Sequence, residues 1–169
     1  MKFLLLFSLC FSCFFIISAQ ELVPLGTKEI NQILNAHNKE RTLVGAPNLI
    51  WKEELALHAQ EWALKLAVDD DGLVHRPIGD DPYGENIAYF DGHEFDAAFP
   101  VDLWNEEKSL YHSTKITNTN YIKIGHYTQV VWKNTKMVGC GCAKSASGAY
   151  FFVCNYDPAG NIINQFPYK

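Results

Sequence analysis

The chain has 169 residues, 48% of them apolar, 14% aromatic and 20% charged, which fits one globular domain and excludes a disordered segment or a solenoid array. A formal net charge of -5 excludes a protein that tracks nucleic-acid phosphates over a broad surface.

Residues 3–17 carry no charge, Lys2 supplies a short positive start, and Ser18-Ala19 supplies small residues at the end. This layout predicts a signal peptide over 1–19, cleaved after Ala19, and therefore a secreted, extracellular protein. The apolar run is shorter than the roughly 20 residues a membrane span needs, and no later stretch is apolar enough, so no membrane span is expected. The remainder, 20–169, reads as a single domain that acts as a monomer. Cys10 and Cys13 leave with the signal, so Cys140, Cys142 and Cys154 can form at most one internal bridge.

Thr27 is the expected cap of a helix over 28–43, with Ile30, Ile33, Leu34 and His37 at helical spacing and Gly45 and Pro47 closing it. A second helix over 52–68 places Leu55, His58, Ala59, Trp62 and Leu66 on one stripe. Asp69-Asp70-Asp71-Gly72 break it, and residues 72–84 read as a Gly/Pro loop. Asn86–Phe90 is a short strand. A third helix starts near Pro100 and runs to about Tyr111, with Leu103 and Trp104 as core contacts. Residues 112–125 read as a polar loop and His126–Trp132 as a short helix or turn. Met137–Ala143 and Ala149–Tyr156 form a hairpin about Lys144–Gly148. If its turn centres near Ser147, Cys140 faces Cys154 and Cys142 faces Phe152, which predicts a Cys140–Cys154 disulfide and a free Cys142. Tyr150–Val153 is apolar on both faces, so the hairpin should be covered on both sides. The fold class is α+β, with helices flanking a small, largely antiparallel sheet.

Four polar residues stand out by their surroundings: His75, Glu85, Glu107 and His126. Two imidazoles and two carboxylates suit a metal site, a general acid/base pair, or a hydrogen-bonded ring that only holds a cleft together. Their spacing does not choose among these. Nucleophile signatures are absent: there is no Gly-x-Ser-x-Gly, His93-Glu94 lacks the second histidine of a zincin helix, and no phosphate-cradling glycine motif occurs.

Taken together the motifs are specific. His37-Asn38-Lys39-Glu40-Arg41 reads as HNxxR, Gly84-Glu85-Asn86-Ile87 as GENI, and Trp104-x-x-Glu107 as WxxE. Gly125-His126-Tyr127-Thr128-Gln129-Val130-Val131-Trp132 reads as GHYTQVVW, and Cys154-Asn155-Tyr156-Asp157-Pro158-Ala159-Gly160-Asn161 as CNYDPxGN. In this order, over about 28–168, the chain resembles the CAP superfamily of cysteine-rich secretory proteins, antigen-five allergens and pathogenesis-related class-one proteins.

That resemblance implies a three-layer α-β-α sandwich with a small, mainly antiparallel central sheet. It also implies that His75, Glu85, Glu107 and His126 meet in one cleft as a tetrad for Zn2+ or another divalent cation, with water or a carboxylate completing the sphere. His37, Asn38 and Arg41 would be structural. Some members bind sterols or fatty acids, and Tyr111, Tyr121 and Ile122 fall in the 111–124 segment where such relatives place a mobile loop. The chain departs from the pattern in three respects: Arg76 follows His75 where the family has serine, Cys142 has no counterpart, and a single bridge replaces the three of plant members. The leading expectation is a secreted, non-catalytic binding protein. The alternatives are a metal-assisted hydrolase using Glu85 or Glu107 as general base, and a precursor of a C-terminal signalling peptide over 158–168.

Overall fold

A computed structural model of the chain describes residues 20–77, 79, 82–91 and 94–169. The expected signal peptide over 1–19 lies outside the described residues.

The framework is the hairpin of β4 (Met137–Lys144) and β5 (Tyr150–Asp157), whose apolar, β-branched and aromatic residues suit a strand buried on both faces. Its register is the expected one, with Cys140 opposite Cys154 and Cys142 opposite Phe152. Cys140 and Cys154 form a disulfide with Cα atoms 4.1 Å apart, and Cys142 is a buried free thiol. β3 (Gly84–Phe90) pairs antiparallel with β5 and begins two residues earlier than predicted. β1 (Glu21–Val23) runs antiparallel to β4, and β2 (Ile50–Trp51) pairs with it in parallel. The order is β1-β4-β5-β3, with β2 sharing β4.

Helices cover both faces of this sheet, giving the α-β-α sandwich. α2 (Glu53–Asp69) lies on one face, where Ala59, Trp62, Ala63 and Leu66 pack against Ile87, Phe151 and Val153. Gly139 and Gly141 allow its backbone to rest directly on β4: a Cβ on Gly139 would lie 2.5 Å from the Lys52 carbonyl oxygen and 2.7 Å from Leu55 C. His58, which helical spacing places on the buried stripe, is only half-buried and meets the Tyr83 ring edge-on at 5.4 Å.

The opposite face carries α1 (Thr27–Leu43), α3 (Phe99–Asn105) and α4 (Tyr121–Val130). Ile33, Val101, Trp104, Tyr127 and Val130 close over Phe152, Cys154 and Tyr156 there. α1 is capped by Gly26 rather than Thr27, because the Glu29 carboxylate accepts the Gly26 N–H at 3.0 Å and draws one more residue into the helix. Gly45, at φ +69°, provides the left-handed turn beyond its C-terminus.

Two segments differ from expectation. The third helix tightens after Asn105 into a 3-10 helix over Glu106–Leu110. The predicted loop over 112–125 ends early, because α4 begins at Tyr121 and stops at Val130. Its start is fixed by a reciprocal pair, in which Thr117 N–H donates to Asn120 Oδ1 at 2.8 Å and Asn120 N–H donates to Thr117 Oγ1 at 3.1 Å.

Candidate functional site

The site is assembled from a loop, a strand start, a 3-10 helix and a helix. Glu85 stands near the start of β3, and its Oε1 accepts the His75 Nδ1–H at 2.7 Å and the Arg76 N–H at 3.1 Å. Arg76 ties this loop to α2: its guanidinium donates to the His58 carbonyl at 2.9 Å and lies 4.8 Å from the Trp62 ring centroid. The residue next to His75 thus ties the loop that carries it to α2.

The second pair is built the same way. Glu107, on the 3-10 helix, takes the His126 Nδ1–H on Oε1 at 2.6 Å. Its Oε2 accepts the main-chain N–H groups of His126 and Tyr127 at 2.9 and 3.1 Å. Trp104, three residues before Glu107, stacks on the His126 ring with centroids 6.2 Å apart and planes 12° from parallel. The Trp-x-x-Glu spacing therefore supplies both a flat wall for the imidazole and an acceptor for its Nδ1.

His75 and His126 face the same cavity of about 230 Å³, together with Glu85, Asn86, Tyr121 and Ile122. A larger space of about 530 Å³ shares His75, Glu85 and Tyr121 with it and runs on to Gln129 and Gly160. Tyr121 belongs to both, and burial, followed by the negative charges of Glu85 and Glu107, raises its phenol above the ordinary 10.0. Gly125 makes room for this ring, since a Cβ there would lie 2.9 Å from Tyr121 Cε2. The four predicted residues are brought together, but as two carboxylate–imidazole pairs rather than a four-ligand shell. Each Nδ1 is spent on a carboxylate, so each imidazole has its Nε2 left for an outside partner. Among the described residues, no group of three or more His, Cys, Asp or Glu side chains is arranged to hold a metal. Glu85 Oε2 is buried without a hydrogen-bond partner among the described residues.

The signature residues lie behind the cleft. His37 is fully buried, with Nδ1 2.8 Å from the Ile33 carbonyl and Nε2 2.9 Å from the Tyr156 hydroxyl. Burial, assisted by the Arg41 charge, lowers its pKa to about 4, so the ring is neutral at physiological pH. Asn38 pairs with both main-chain groups of Leu49, at 3.1 and 2.7 Å. Arg41, also buried, donates to the carbonyls of Pro47, Val130, Trp132 and Thr135 at 2.7–2.9 Å, the last three at and beyond the end of α4. Its pKa falls to about 10 through burial, so it keeps its charge.

Asn86 was not singled out from the sequence, yet it joins these two regions: its Nδ2 donates to the His126 carbonyl at 3.1 Å and to the Tyr156 hydroxyl at 3.3 Å. Its signal was available, because an amide next to the apolar Ile87-Ala88 on a buried strand needs polar partners.

The three residues of the expected lipid segment have different surroundings. Tyr111 turns inward against Tyr127 and Tyr168, with centroids 6.0 and 5.5 Å away, and burial pushes its phenol up to about 12. Tyr121 and Ile122 instead open α4 at the cleft, and Ile122 is 80% exposed. The 158–168 tail is bonded into the domain: Asn161 Nδ2 donates to the Gly125 carbonyl at 2.8 Å, and Lys133 N–H donates to the Pro167 carbonyl at 2.8 Å.

A model of the cysteine-rich secretory protein (CAP) family matches residues 34–156. Pathogenesis-related protein 1C of Nicotiana tabacum is 42% identical over 135 residues, which cover 80% of this chain and 78% of that protein. Venom allergen 5 of Polistes fuscatus is 37% identical over 166 residues, covering 83% and 79%. Among solved structures, that of NaASP2 with Zn2+ shares the fold at a TM-score of 0.72 and 23% identity, covering 86% of this chain and 87% of that one. No described helix is long and apolar enough to cross a membrane.

Proposed function

The chain belongs to the cysteine-rich secretory protein family, and on that premise we propose that it is a secreted, non-catalytic binding protein whose cleft takes up one divalent cation through His75 and His126. The observation that carries this reading is the paired orientation of the rings. Each imidazole is fixed through Nδ1 by a carboxylate, the arrangement that sets the tautomer and raises the basicity of a ligating Nε2, and both rings line one small cavity. Borderline-soft zinc suits two such nitrogens with water filling the remaining positions.

Of the two carboxylates a hydrolase could use, Glu107 is the one whose surroundings favour binding over turnover. Glu107 has both oxygens occupied by N–H donors, so it is a positioning group rather than a free general base. A sterol or fatty acid is the second reading: the cavity of about 230 Å³ is smaller than the roughly 300–1,000 Å³ typical of sites for larger organic ligands, so such a ligand would need the adjoining space of about 530 Å³ that shares Tyr121 with it.

Zinc titration calorimetry on the purified domain tests the reading. One zinc per chain is expected at neutral pH, with affinity falling on acidification as protons compete for the imidazoles. His75→Ala and His126→Ala should each abolish uptake, and Glu107→Gln should weaken it about 10–100-fold. No uptake, or uptake indifferent to both histidines, would remove the metal from the proposal.

A further inference from the structure

Charge is unevenly placed along the chain. Residues 108–169 contain seven lysines and only one carboxylate side chain, Asp157, within a protein that is acidic overall. Some of these lysines have local partners, such as Lys108 with Glu40 at 2.8 Å and Lys144 over the Tyr150 ring. Three others, Lys115, Lys133 and Lys169, line one cavity of about 440 Å³ between the segment after α4 and the C-terminal tail. No aspartate or glutamate is among the described residues lining it, and it shares no lining residue with the cleft.

Main-chain bonds hold its walls. Ile116 N–H donates to the Gln165 carbonyl and Asn164 N–H to the Ile116 carbonyl, each at 2.9 Å. The Lys115 and Lys169 ammonium groups lie 5.7 and 3.9 Å from the Phe166 ring centroid. Lys133 Nζ donates to the main-chain oxygen of Lys169 at 2.9 Å. Asn134, Asn164 and Gln165 also line the cavity, adding amides that both donate and accept. Lys133 meets the main-chain carboxylate of Lys169, while among the described residues no carboxylate side chain lines the cavity to meet the Lys115 and Lys169 ammonium groups, and an anion there relieves their repulsion.

We propose that this cavity binds an anionic saccharide, a sugar unit bearing sulfate or carboxylate groups. The lysines meet the anionic groups as point charges. Trp132 and Tyr168, which also line the cavity, offer aromatic surface for the sugar's C–H groups, and the amides of Asn134, Asn164 and Gln165 match its hydroxyls. The volume lies within the range of pockets that hold molecules of this size. A long nucleic-acid backbone fits poorly, because it would also meet the acidic remainder of the protein.

The test is calorimetry of the whole domain with three hexasaccharides: a sulfated heparin fragment, hexagalacturonate and uncharged maltohexaose. At least one charged ligand should bind, with affinity falling as salt rises, and maltohexaose should not. Lys115→Glu and Lys133→Glu should each weaken that binding about tenfold, whereas Lys28→Glu, an equal charge change on an exposed α1 side chain, should leave it within about twofold. Lys115→Gln and Lys133→Gln serve if a reversal disturbs folding, checked by circular dichroism. His126→Ala should not affect this binding, which separates it from the cleft. The proposal is overturned by an equal loss in Lys28→Glu, by equal binding of maltohexaose, by full competition from inorganic sulfate at the same charge concentration, or by no binding of either anionic ligand at millimolar concentration.

Discussion

His37 makes acid stability a direct test of how the core is wired. The Ile33 carbonyl only accepts, so Nδ1 carries the proton and Nε2 accepts from the Tyr156 hydroxyl, which itself accepts from Asn86. The neutral ring is fully satisfied, and a second proton would expel the Tyr156 donor beside the buried charge of Arg41. Its pKa accordingly drops from 6.5 to about 4 on folding. Between those values the unfolded chain binds more protons than the folded one, so stability falls as pH falls, and it is fully present only above about 6.5. At about 1.4 kcal/mol per pH unit the loss amounts to roughly 3 kcal/mol by pH 4. The assay is urea unfolding followed by tryptophan fluorescence between pH 3.5 and 8, for the wild type and His37→Gln. The variant should cost about 1–2 kcal/mol at pH 7.5, from the altered hydrogen bonds and packing. Because it lacks the titration, the two curves should converge on acidification and cross near pH 5. Taking the difference cancels the carboxylates common to both proteins. Parallel curves would refute a neutral His37 in the folded state.

Three further outcomes follow from the packing. Gly141→Ala puts a Cβ about 2.8 Å from Gln60 Cβ and closer still to its main chain, so α2 must lift from the sheet; a loss of about 2–3 kcal/mol, read as a drop of roughly 5–10 °C in melting temperature, is expected. Replacing Cys140 and Cys154 together by alanine opens a loop with a sequence separation of 14 and should lower the urea-unfolding free energy by about 3 kcal/mol. Burial pushes the Cys142 thiol well above its ordinary range, so Ellman's reagent should label it only after denaturation, and labelling of the native protein within minutes would contradict its position.

The legible parts of this fold are those where one physical rule acted alone. In the hairpin, turn length and alternation together set the register, and with it the disulfide. α2 announces itself through a stripe of alanines and large apolar residues. β1 and β2 stayed hidden because strands of three and two residues carry no measurable period, and they exist only because β4 offers them a partner. The start of α4 stayed hidden for a different reason. Its first turn, Tyr121-Ile122-Lys123, has three exposed side chains, so no apolar face marks it, and the signal lies instead in Thr117 and Asn120, whose side chains hold the chain in place before the first helical residue.

The cleft shows where motif reading stops. Residue types and order identified His75, Glu85, Glu107 and His126 and suggested a shared pocket, but a tetrad does not say which atoms face inward. That depends on the acceptor seen by each Nδ1, and thus on the rise of the 3-10 helix carrying Glu107 and on the loop carrying His75. Arg76 illustrates the point. By pattern it is a departure that casts doubt on its neighbour, whereas in space its main-chain N–H shares Glu85 with His75 and its guanidinium anchors the loop to α2. A serine would supply the same N–H but not the second attachment. In this chain, therefore, the position of His75 depends on α2 as well as on β3. A substitution at Arg76 should disturb the His75–Glu85 pair while leaving His126–Glu107, held by two amides of its own helix, as it is.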